Sequence, residues 1–476
     1  MDVHISLTRS GRLAADVYEQ LRAAILDGRL RPGERMPATR ELAQRLAVSR
    51  NTALDAYARL VAEGFLAGRA GAGTYVTAPP AAEARRAPAG RVLQPRPLWR
   101  HLAFVPSAAR HGIARDFSLG APDPKLFPWD EWRRLVARQQ RGRRRTTGYP
   151  PPDGDPGLRA ALARHVGLSR SVRAGAGDVM ITSGAQQAFD LIARVLLEPG
   201  ACVAVEDPGY PPAHRAFRAH GARVVPVPVD AEGLVVDALP RDARLVYVTP
   251  SHQFPLGTAM SLARRLALLA WAERHGAAIL EDDYDSEFRF DGRPLEPLQS
   301  LDRHGRVLYV GTLSKVLLPT LRLGFIVAPP SLMPSLHAAR ALADSHGAVD
   351  AQLALREFID DGMFARHLRR LVRIYRERRD ALRDALATQL GDALVPVPSA
   401  AGLHASAYFA DRRVDAAAVC ARAAAAGVAV EPLAAYYQRR ARAGLVLGYG
   451  LIGAREIADG VRRIAHQLAN APQPGL

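Results

Sequence analysis

The sequence predicts a small winged helix-turn-helix domain followed by a large α/β domain built on a mostly parallel sheet. Over residues 1–77 the pattern is helix, helix-turn-helix and hairpin. After Asp116, apolar strand-like runs alternate with helical segments, as a mostly parallel sheet with helices on its faces requires. Residues 78–115 are rich in Pro, Ala and Arg without periodicity, and are predicted to be a linker. The large domain is therefore expected to span 116–476.

The composition is that of a folded protein with excess positive charge. The chain has 476 residues, 48% hydrophobic and 23% charged, which is enough for two or three domains. Its formal net charge of +17 favours a polyanionic partner without identifying one. The sequence has no apolar run of membrane-spanning length and no signal-peptide pattern, and its two cysteines lack metal-ligand spacing. We expect a cytoplasmic protein with no membrane contact and no metal site.

Helical periodicity defines three helices in the head. An apolar residue recurs at every fourth position over 13–25 and predicts the first helix. Thr39 is expected to cap a short second helix, and Ser49 to cap a third. The third helix is predicted to bury five residues, Ala53, Leu54, Tyr57, Leu60 and Val61. Two short strands around the glycine-rich tip 68–73 complete a hairpin.

The first turn of the third helix, Ser49-Arg50-Asn51-Thr52, presents only hydrogen-bonding side chains. In a winged helix-turn-helix this turn enters the major groove, so Ser49 and Arg50 are candidate DNA contacts. Arg50 is the best candidate for a bidentate contact with guanine, whereas Arg40 and Thr52 suit phosphates. A helical domain that contacts another protein is the alternative.

Three blocks of the head carry a specific family resemblance. They are Arg31-Pro32-Gly33-Glu34-Arg35-Met36-Pro37-Ala38-Thr39-Arg40-Glu41-Leu42-Ala43, Val48-Ser49-Arg50-Asn51-Thr52 and Glu63-Gly64-Phe65-Leu66. Together they resemble the GntR family of bacterial regulators. The resemblance implies double-stranded DNA as the partner, and it places four residues at DNA-contacting positions of that family, Arg40, Arg50, Thr52 and Gly71.

The predicted linker carries the densest positive charge, with seven arginines against Glu83 alone, a net charge of +6. Such a segment could follow DNA phosphates and add salt-dependent affinity that is independent of sequence. Arginine could equally serve to keep a disordered tether in solution. The composition does not decide between the two.

The chemistry of the large domain centres on the stretch 307–324. Val307 to Val310 is predicted to be a buried strand that Gly311 ends. Four polar side chains follow it, Thr312, Ser314, Lys315 and Arg322. The chain has only two lysines, Lys125 and Lys315. A lysine in a partly desolvated site can form a Schiff base, which arginine cannot, so this set favours a pyridoxal-phosphate (PLP) site. A solvated lysine on a loop is the alternative.

Three other predicted strands end in polar residues. The strand 179–182 leads into Ser183-Gly184-Ala185 and a helix, whose N-terminus could hold a phosphate. The strand 277–280 ends in Glu281-Asp282-Asp283-Tyr284-Asp285, where an acid could pair with a pyridine nitrogen and Tyr284 could donate to a phenolic oxygen. A carboxylate cluster for Mg²⁺ is the rival interpretation there. Tyr210, after the strand 202–205, could cover the cofactor or be structural.

The order of these blocks resembles that of fold-type I aminotransferases, and with a GntR-type head the chain resembles the MocR subfamily. Particularly characteristic are Ser251-His252-Gln253-Phe254-Pro255 and the block 281–289. The resemblance implies a small C-terminal α+β subdomain, a homodimer, and Lys315 as the residue that forms the internal aldimine. Asp282 would pair with the pyridine nitrogen, Tyr284 with the phenolic oxygen, and Tyr210 would stack on the ring. Five residues would hold the phosphate, Ser183, Gly184, Ala185, Thr312 and Arg322.

The sequence departs from the aminotransferase pattern in three places. Phe254-Pro255-Leu256-Gly257 stands where enzymes of the fold usually carry Asn-Pro-x-Gly, and His252 or Gln253 could replace that asparagine or be structural. The segment 443–449 is apolar where the carboxylate-binding arginine is expected. The segment 211–213 also lacks the carboxylate-binding arginine of the best-known MocR-subfamily member, which regulates γ-aminobutyrate use. Arg442 or Arg215 could be displaced substitutes.

These features predict a DNA-binding regulator that senses PLP, or the aldimine of an amine or amino acid, in preference to an active aminotransferase with an appended DNA-binding domain. Transamination needs a substrate held in position, and the missing carboxylate clamp removes one positioning interaction. A regulator with a degenerate cofactor site is the third possibility.

Overall fold

The computed structural model describes residues 13–69, 71–77, 94–100, 102, 113–142, 148–292 and 296–469. They fall into two compact units that divide between Gln94 and Pro95. Most of the predicted linker lies outside the described residues, so the expectation that it follows DNA stays a prediction. Among the described helices, none is both long and apolar enough to cross a membrane.

The first unit has the predicted order of helix, helix-turn-helix and hairpin. Its elements are α1 (Leu13–Leu26), α2 (Thr39–Arg45), α3 (Arg50–Ala62), β1 (Leu66–Arg69) and β2 (Gly73–Val76). The two strands pair antiparallel, with Leu66 opposite Val76. The core lies between the helices, and its fully buried members include Leu21, Leu42 and Leu60. The winged helix-turn-helix architecture is therefore confirmed.

Two details of the head differ from the prediction. Ala38, not Thr39, is the N-cap of α2, because its extended backbone places its carbonyl to accept from Leu42 N. Leu54 and Val61 are 54% and 45% exposed and do not belong to the core. The buried face of α3 follows Ala53, Ala56, Tyr57 and Leu60, and a residue one position along the helix points about 100° away from such a face.

The second unit contains a large sheet, a small sheet and the helices that cover them. Its helices are α4 (Pro97–Arg100), α5 (Trp129–Gly142), α6 (Pro156–Arg170), α7 (Ala185–Leu196), α8 (Pro211–Ala219), α9 (Leu262–His275), α10 (Leu298–Leu301), α11 (Met333–Asp344), α12 (Val349–Asp360), α13 (Met363–Leu390), α14 (Ala416–Ala425) and α15 (Ala454–Ala469). Its strands are β3 (Arg115–Asp116), β4 (Val179–Thr182), β5 (Cys202–Asp207), β6 (Arg223–Asp230), β7 (Gly233–Leu234), β8 (Ala243–Val248), β9 (Ala278–Asp283), β10 (Val307–Thr312), β11 (Gly324–Val327), β12 (Leu394–Pro396), β13 (His404–Phe409), β14 (Val428–Ala429), β15 (Glu431–Pro432) and β16 (Gly444–Gly448).

The large sheet has the strand order β4-β11-β10-β9-β8-β5-β6-β7. The pairs from β10 to β6 are all parallel, and β11 runs antiparallel to both of its neighbours. The carboxyl ends of the parallel strands therefore meet at one edge, which is where α/β proteins bind ligands. This arrangement confirms the mostly parallel sheet and places the predicted polar residues along a single edge.

A smaller sheet, β12-β13-β16-β15, forms the C-terminal part together with α13, α14 and α15. The short strand β3 pairs in parallel with β14, so residues 115–116 lie beside this C-terminal part. The small α+β subdomain implied by the resemblance is present.

Gly311 lies inside β10 and does not end it as predicted. It is paired with Phe325 across β11, and the Phe325 ring packs directly over its α-carbon. A hydrogen is the only side chain that leaves room for this ring. The strand therefore continues to Thr312.

We predict that Gly311→Ala destabilises the large unit by about 1–3 kcal/mol, because the added methyl group overlaps the Phe325 ring in a packed core. Thermal or urea unfolding measures the loss. Gly177→Ala is the matched control in the same unit, since no atom of the described residues other than its chain neighbours lies within 4 Å of the position that its added methyl group would take. Equal stability of the two variants would contradict the prediction.

Candidate functional site

The strand register brings the predicted residues of the large unit to one edge. Thr312 pairs with Gly324 and Gly324 pairs with Thr182, so the turns after β4 and β10 and the turn before β11 lie side by side. In the next pair, Val310 of β10 lies opposite Asp282 of β9. Asp282 and Asp283 are the last residues of β9 and do not follow the strand as predicted.

Lys315 lies in the turn that follows β10. Its Nζ donates to Gly120 O at 2.5 Å, a contact that sequence reasoning missed because Gly120 is far away along the chain. Burial lowers the pKa of the Lys315 amine, and the carboxylates of Asp285 and Asp282 oppose this shift. A lysine amine with a lowered pKa has a larger neutral fraction, which is the form that attacks a carbonyl group.

Asp282 is distinguished from Asp283 by its hydrogen bonds. Asp282 is buried, its Oδ2 accepts from the Tyr247 hydroxyl at 2.7 Å, and its Oδ1 has no partner among the described residues. Asp283 Oδ2 instead accepts from Arg170 Nε at 3.0 Å and from the Tyr309 hydroxyl at 2.6 Å. Asp282 is thus the acid with an oxygen left to receive a further donor. Tyr247 looked like an ordinary core residue in the sequence, and only the pairing of β8 with β9 reveals its contact.

Burial dominates the electrostatics at the centre of this edge. It raises the pKa of the Asp282 carboxyl to about 7, and Asp283 adds to the shift while Tyr247 and Lys315 oppose it. Glu206 lies nearby, and burial likewise raises its pKa to about 7. A cationic group placed at Asp282 Oδ1 would favour the carboxylate form and so bind more tightly as the pH rises through this range.

The turn between β4 and α7 forms a cradle with Arg322. Gly184 has φ +82° and caps α7, which begins at Ala185. A side chain at Gly184 would lie 3.0 Å from the Arg322 guanidinium, which donates to Ser183 O. At the end of β10, Thr312 Oγ1 donates to Ser314 Oγ at 3.0 Å. Helix N-terminal amides, hydroxyls and a guanidinium are the donors that phosphate groups accept from.

An aromatic cluster borders the same edge. Phe254 is at its centre, with ring centroids 5.2 Å from Tyr210, 5.9 Å from Tyr284, 5.2 Å from Tyr436 and 5.6 Å from His404. The structure therefore brings the predicted Tyr210 and Tyr284 together through the phenylalanine that replaces the usual asparagine.

The Gln253 side chain is held by contacts with neighbouring turns. Its Nε2 donates to Pro208 O at 2.8 Å and to Phe254 O at 2.6 Å, and its Oε1 accepts from Leu256 N at 3.1 Å. These contacts join the turns after β5 and β8 and leave no amide atom free for a ligand. Of the two residues that could replace the asparagine, only His252 contacts Tyr284, at 2.9 Å from Nδ1 to the hydroxyl.

Both arginines that could be displaced substitutes for the missing carboxylate clamp lie on the surface. Arg442 is exposed, and its guanidinium stacks 3.8 Å from the Tyr408 ring centroid. Arg215 lies exposed on α8. Val446, in the strand where the arginine is expected, is fully buried in an apolar cluster with Leu256 and other residues.

The head presents the predicted DNA-contacting residues on its surface. Arg40, Ser49, Arg50 and Gly71 are exposed, whereas Thr52 is half-buried. Ser49 caps α3 as predicted, because its Oγ accepts from Thr52 N at 3.1 Å. The Thr52 hydroxyl lies 2.9 Å from the same Ser49 Oγ, so this pair is already ordered by the cap.

Two arginines beside the wing were not singled out from the sequence. The Arg35 guanidinium packs against Gly73, with 3.2 Å between its Nε and a methyl position on that glycine. The Arg69 guanidinium stacks 4.7 Å from the Tyr75 ring centroid. Their positions depend on how the hairpin folds. The glycine-rich tip 68–73 does not indicate in the sequence which arginines will lie beside it.

Both parts of the chain match described protein families. Residues 13–76 match "Bacterial regulatory proteins, gntR family", and residues 115–435 match "Aminotransferase class I and II". Over 454 residues the chain is 38% identical to the "Probable rhizopine catabolism regulatory protein MocR" of Rhizobium meliloti, covering 94% of this chain and 92% of that protein. The chain belongs to the MocR subfamily of GntR-type regulators.

This MocR-type regulator is also similar to other transcriptional regulators and to aminotransferases. It is 37% identical over 475 residues to the HTH-type transcriptional regulator TauR of Rhodobacter capsulatus, covering 96% of this chain and 97% of that one. Its large unit resembles the crystal structure of the α-aminoadipate aminotransferase LysN from Thermus thermophilus, complexed with N-(5'-phosphopyridoxyl)-L-leucine. The TM-score is 0.69 at 32% identity, over 75% of this chain and 92% of LysN. The fold-type I aminotransferase architecture is confirmed.

Proposed function

We propose that this MocR-type transcriptional regulator binds promoter DNA through its head and PLP at the carboxyl edge of the large sheet, with PLP or an amine bound to it as the signal. The observation that carries the proposal is the buried Oδ1 of Asp282, which has no partner in the part of the chain that the structure describes and lies on the same edge as the Lys315 amine. This oxygen would accept a hydrogen bond from the protonated pyridine nitrogen of PLP.

The residues of the edge fit PLP group by group. Lys315 would supply the amine, Asp282 the pyridine partner, Tyr284 a donor to the phenolic oxygen and Tyr210 an aromatic face. The phosphate would lie in the cradle of Ser183, Gly184, Ala185, Thr312 and Arg322, where the absence of a side chain at Gly184 leaves room for the Arg322 guanidinium. When bound, PLP supplies an aldehyde that exchanges one amine for another.

On the DNA side, Arg50 would contact guanine in the major groove of a double-stranded operator, and Ser49 would lie beside it at the start of α3. Arg40 and Thr52 would contact phosphates, and the exposed backbone at Gly71 would approach the sugar-phosphate chain. We place the protein in the cytoplasm, where its promoter is, and we expect a homodimer.

Coupling requires that the signal bind two states of the regulator with different affinity. The apolar environment of Val446 offers no cation for the carboxylate of an amino acid. This favours PLP itself, or an amine without an α-carboxylate, as the signal.

The test measures DNA binding by the cofactor-free and PLP-loaded protein, with a fluorescent duplex from the promoter of its own gene. We expect visible absorbance on loading and a change in operator affinity of about 5- to 150-fold, the usual range of allosteric coupling. Steady conversion of an amino acid and a keto acid, with unchanged DNA binding, would favour an active aminotransferase. No visible absorbance would indicate a degenerate site.

A further inference from the structure

His252 lies in a buried polar cluster behind Tyr284. Its Nδ1 is 3.0 and 3.1 Å from the two carboxylate oxygens of Asp285, and its Nε2 is 3.1 Å from Ser399 Oγ. His252 and Asp285 are each 2% exposed. The same Nδ1 lies 2.9 Å from the Tyr284 hydroxyl. One ring therefore connects a carboxylate, a serine and the tyrosine that borders the cofactor site.

The hydrogen-bond directions fix the protons on His252. Ser399 Oγ donates to Ala401 O at 3.0 Å, because a carbonyl oxygen only accepts. Ser399 Oγ must then accept from His252 Nε2, which carries a proton. On the other side of the ring, Nδ1 faces two carboxylate oxygens, and a nitrogen lone pair in that position would be repelled. Nδ1 carries a proton as well, and the ring is an imidazolium paired with Asp285.

This charge state determines what the Tyr284 hydroxyl can do. A protonated Nδ1 cannot accept a hydrogen bond, so the Tyr284 oxygen is the acceptor in that contact and its own hydrogen is left for another partner. Burial raises the pKa of Tyr284, and the carboxylates of Asp285, Asp282, Glu206 and Asp283 raise it further. Tyr284 therefore stays protonated and remains a donor.

The other charged neighbours do not change this arrangement. The His404 ring centroid is 4.7 Å from that of His252, and its Nε2 donates to Pro255 O at 2.9 Å. Burial lowers the pKa of His404 well below its usual value, and the charges of His252 and Lys315 act in the same direction. His404 is thus neutral, and the positive charge of the pair stays on His252.

We propose that His252, held as an imidazolium by Asp285, is the positioning residue that directs the Tyr284 hydroxyl to the phenolic oxygen of PLP. In enzymes of the fold, the asparagine at the position of Phe254 forms a hydrogen bond with the cofactor. His252 would replace that contribution indirectly, through Tyr284. The inference rests on PLP being the ligand of the site. It goes further by assigning the proton on Tyr284 and the charge of His252.

The test follows the visible absorbance of the PLP-loaded protein as a function of pH. That absorbance changes when the nitrogen joining Lys315 to the cofactor gains a proton, and a hydrogen bond to the phenolic oxygen weakens the hold on that proton. We expect the midpoint to move upward by about one pH unit in His252→Gln and in Tyr284→Phe. The double variant should move no further than Tyr284→Phe alone, because His252 acts through the tyrosine hydroxyl.

His220→Gln is the matched control, since it removes another histidine–aspartate pair, 2.7 Å from Nε2 to Asp190 Oδ1, in the same unit. Its midpoint should equal that of the parent protein. An unchanged midpoint in a folded His252→Gln variant, with a shift in Tyr284→Phe, would overturn the proposal and leave PLP binding intact. A loaded parent protein without visible absorbance would instead contradict the proposed function.

Ser399→Ala tests the same proposal if the His252→Gln variant does not fold. It removes only the acceptor of the Nε2 proton, so the imidazolium becomes less favourable while the Asp285 and Tyr284 contacts remain. A neutral ring makes the Tyr284 hydroxyl a weaker donor to the phenolic oxygen than a charged ring does, so we expect a smaller upward shift of the same midpoint. A folded Ser399→Ala protein with the parent midpoint would count against the charged state of His252.

Discussion

Lys315→Ala is expected to abolish covalent attachment of PLP and the visible absorbance that comes with it. The loss should be complete, because the chain has only two lysines and the other, Lys125, is exposed in a short turn. Arginines, which supply nearly all the remaining positive charge, stay protonated and do not replace the amine. The measurement is borohydride reduction of the loaded protein followed by peptide mass spectrometry.

Lys125→Ala is the matched control and should retain both the absorbance and the modified Lys315 peptide. Cofactor-dependent DNA binding should survive in that control and disappear in Lys315→Ala if attachment carries the signal. A modified peptide that contains Lys125, or an unchanged spectrum in Lys315→Ala, would show that the central assignment is wrong.

Arg50→Ala is expected to lower operator affinity by about 10- to 100-fold and to relax the preference for guanine at the position that it contacts. A good bidentate contact with a base contributes about 1–3 kcal/mol of discrimination. Arg40→Ala should differ in kind: binding weakens to a similar extent on all sequences, and the dependence of affinity on salt falls by about one charge. Fluorescence anisotropy with the operator and with single-base variants, at several salt concentrations, separates the two effects.

Arg29→Ala serves as the control for loss of charge on the same unit. Arg29 is paired with Asp27 at 2.7 Å and lies between α1 and α2. Its removal should leave base preference unchanged. If Arg50→Ala weakened binding equally on every sequence, Arg50 would be a phosphate contact and another residue would read the base.

The parts of the fold that local physics determines could be predicted from the sequence. Ser49 caps α3 because a serine followed by a helical pattern has one favourable position for its hydroxyl, and the structure has the predicted bond to Thr52 N. The polar residues after β4 and β10 could be assigned to one edge because parallel strands end together. These two conclusions depend only on the spacing of apolar residues, the preference for serine at a helix N-cap and the direction of the strands.

The remaining features depend on contacts between distant parts of the chain. Leu54 and Val61 are apolar and helical, yet they are exposed because α1 and α2 pack against a face of α3 that only tertiary structure defines. Asp282 and Asp283 are adjacent acids at the end of one strand, and their spacing from the other motifs does not distinguish them. Arg170 and Tyr309, which engage Asp283, and Tyr247, which engages Asp282, come from other elements. No local pattern could separate the two acids.

The Lys315 amine donates a hydrogen bond to Gly120 O, and Gly120 lies a few residues beyond β3, the strand that pairs with β14. When the amine is joined to a ligand, the Gly120 carbonyl loses this donor and must find another or remain unsatisfied at a cost in free energy. Occupancy of the site would therefore change the hydrogen bonding of the segment that follows β3.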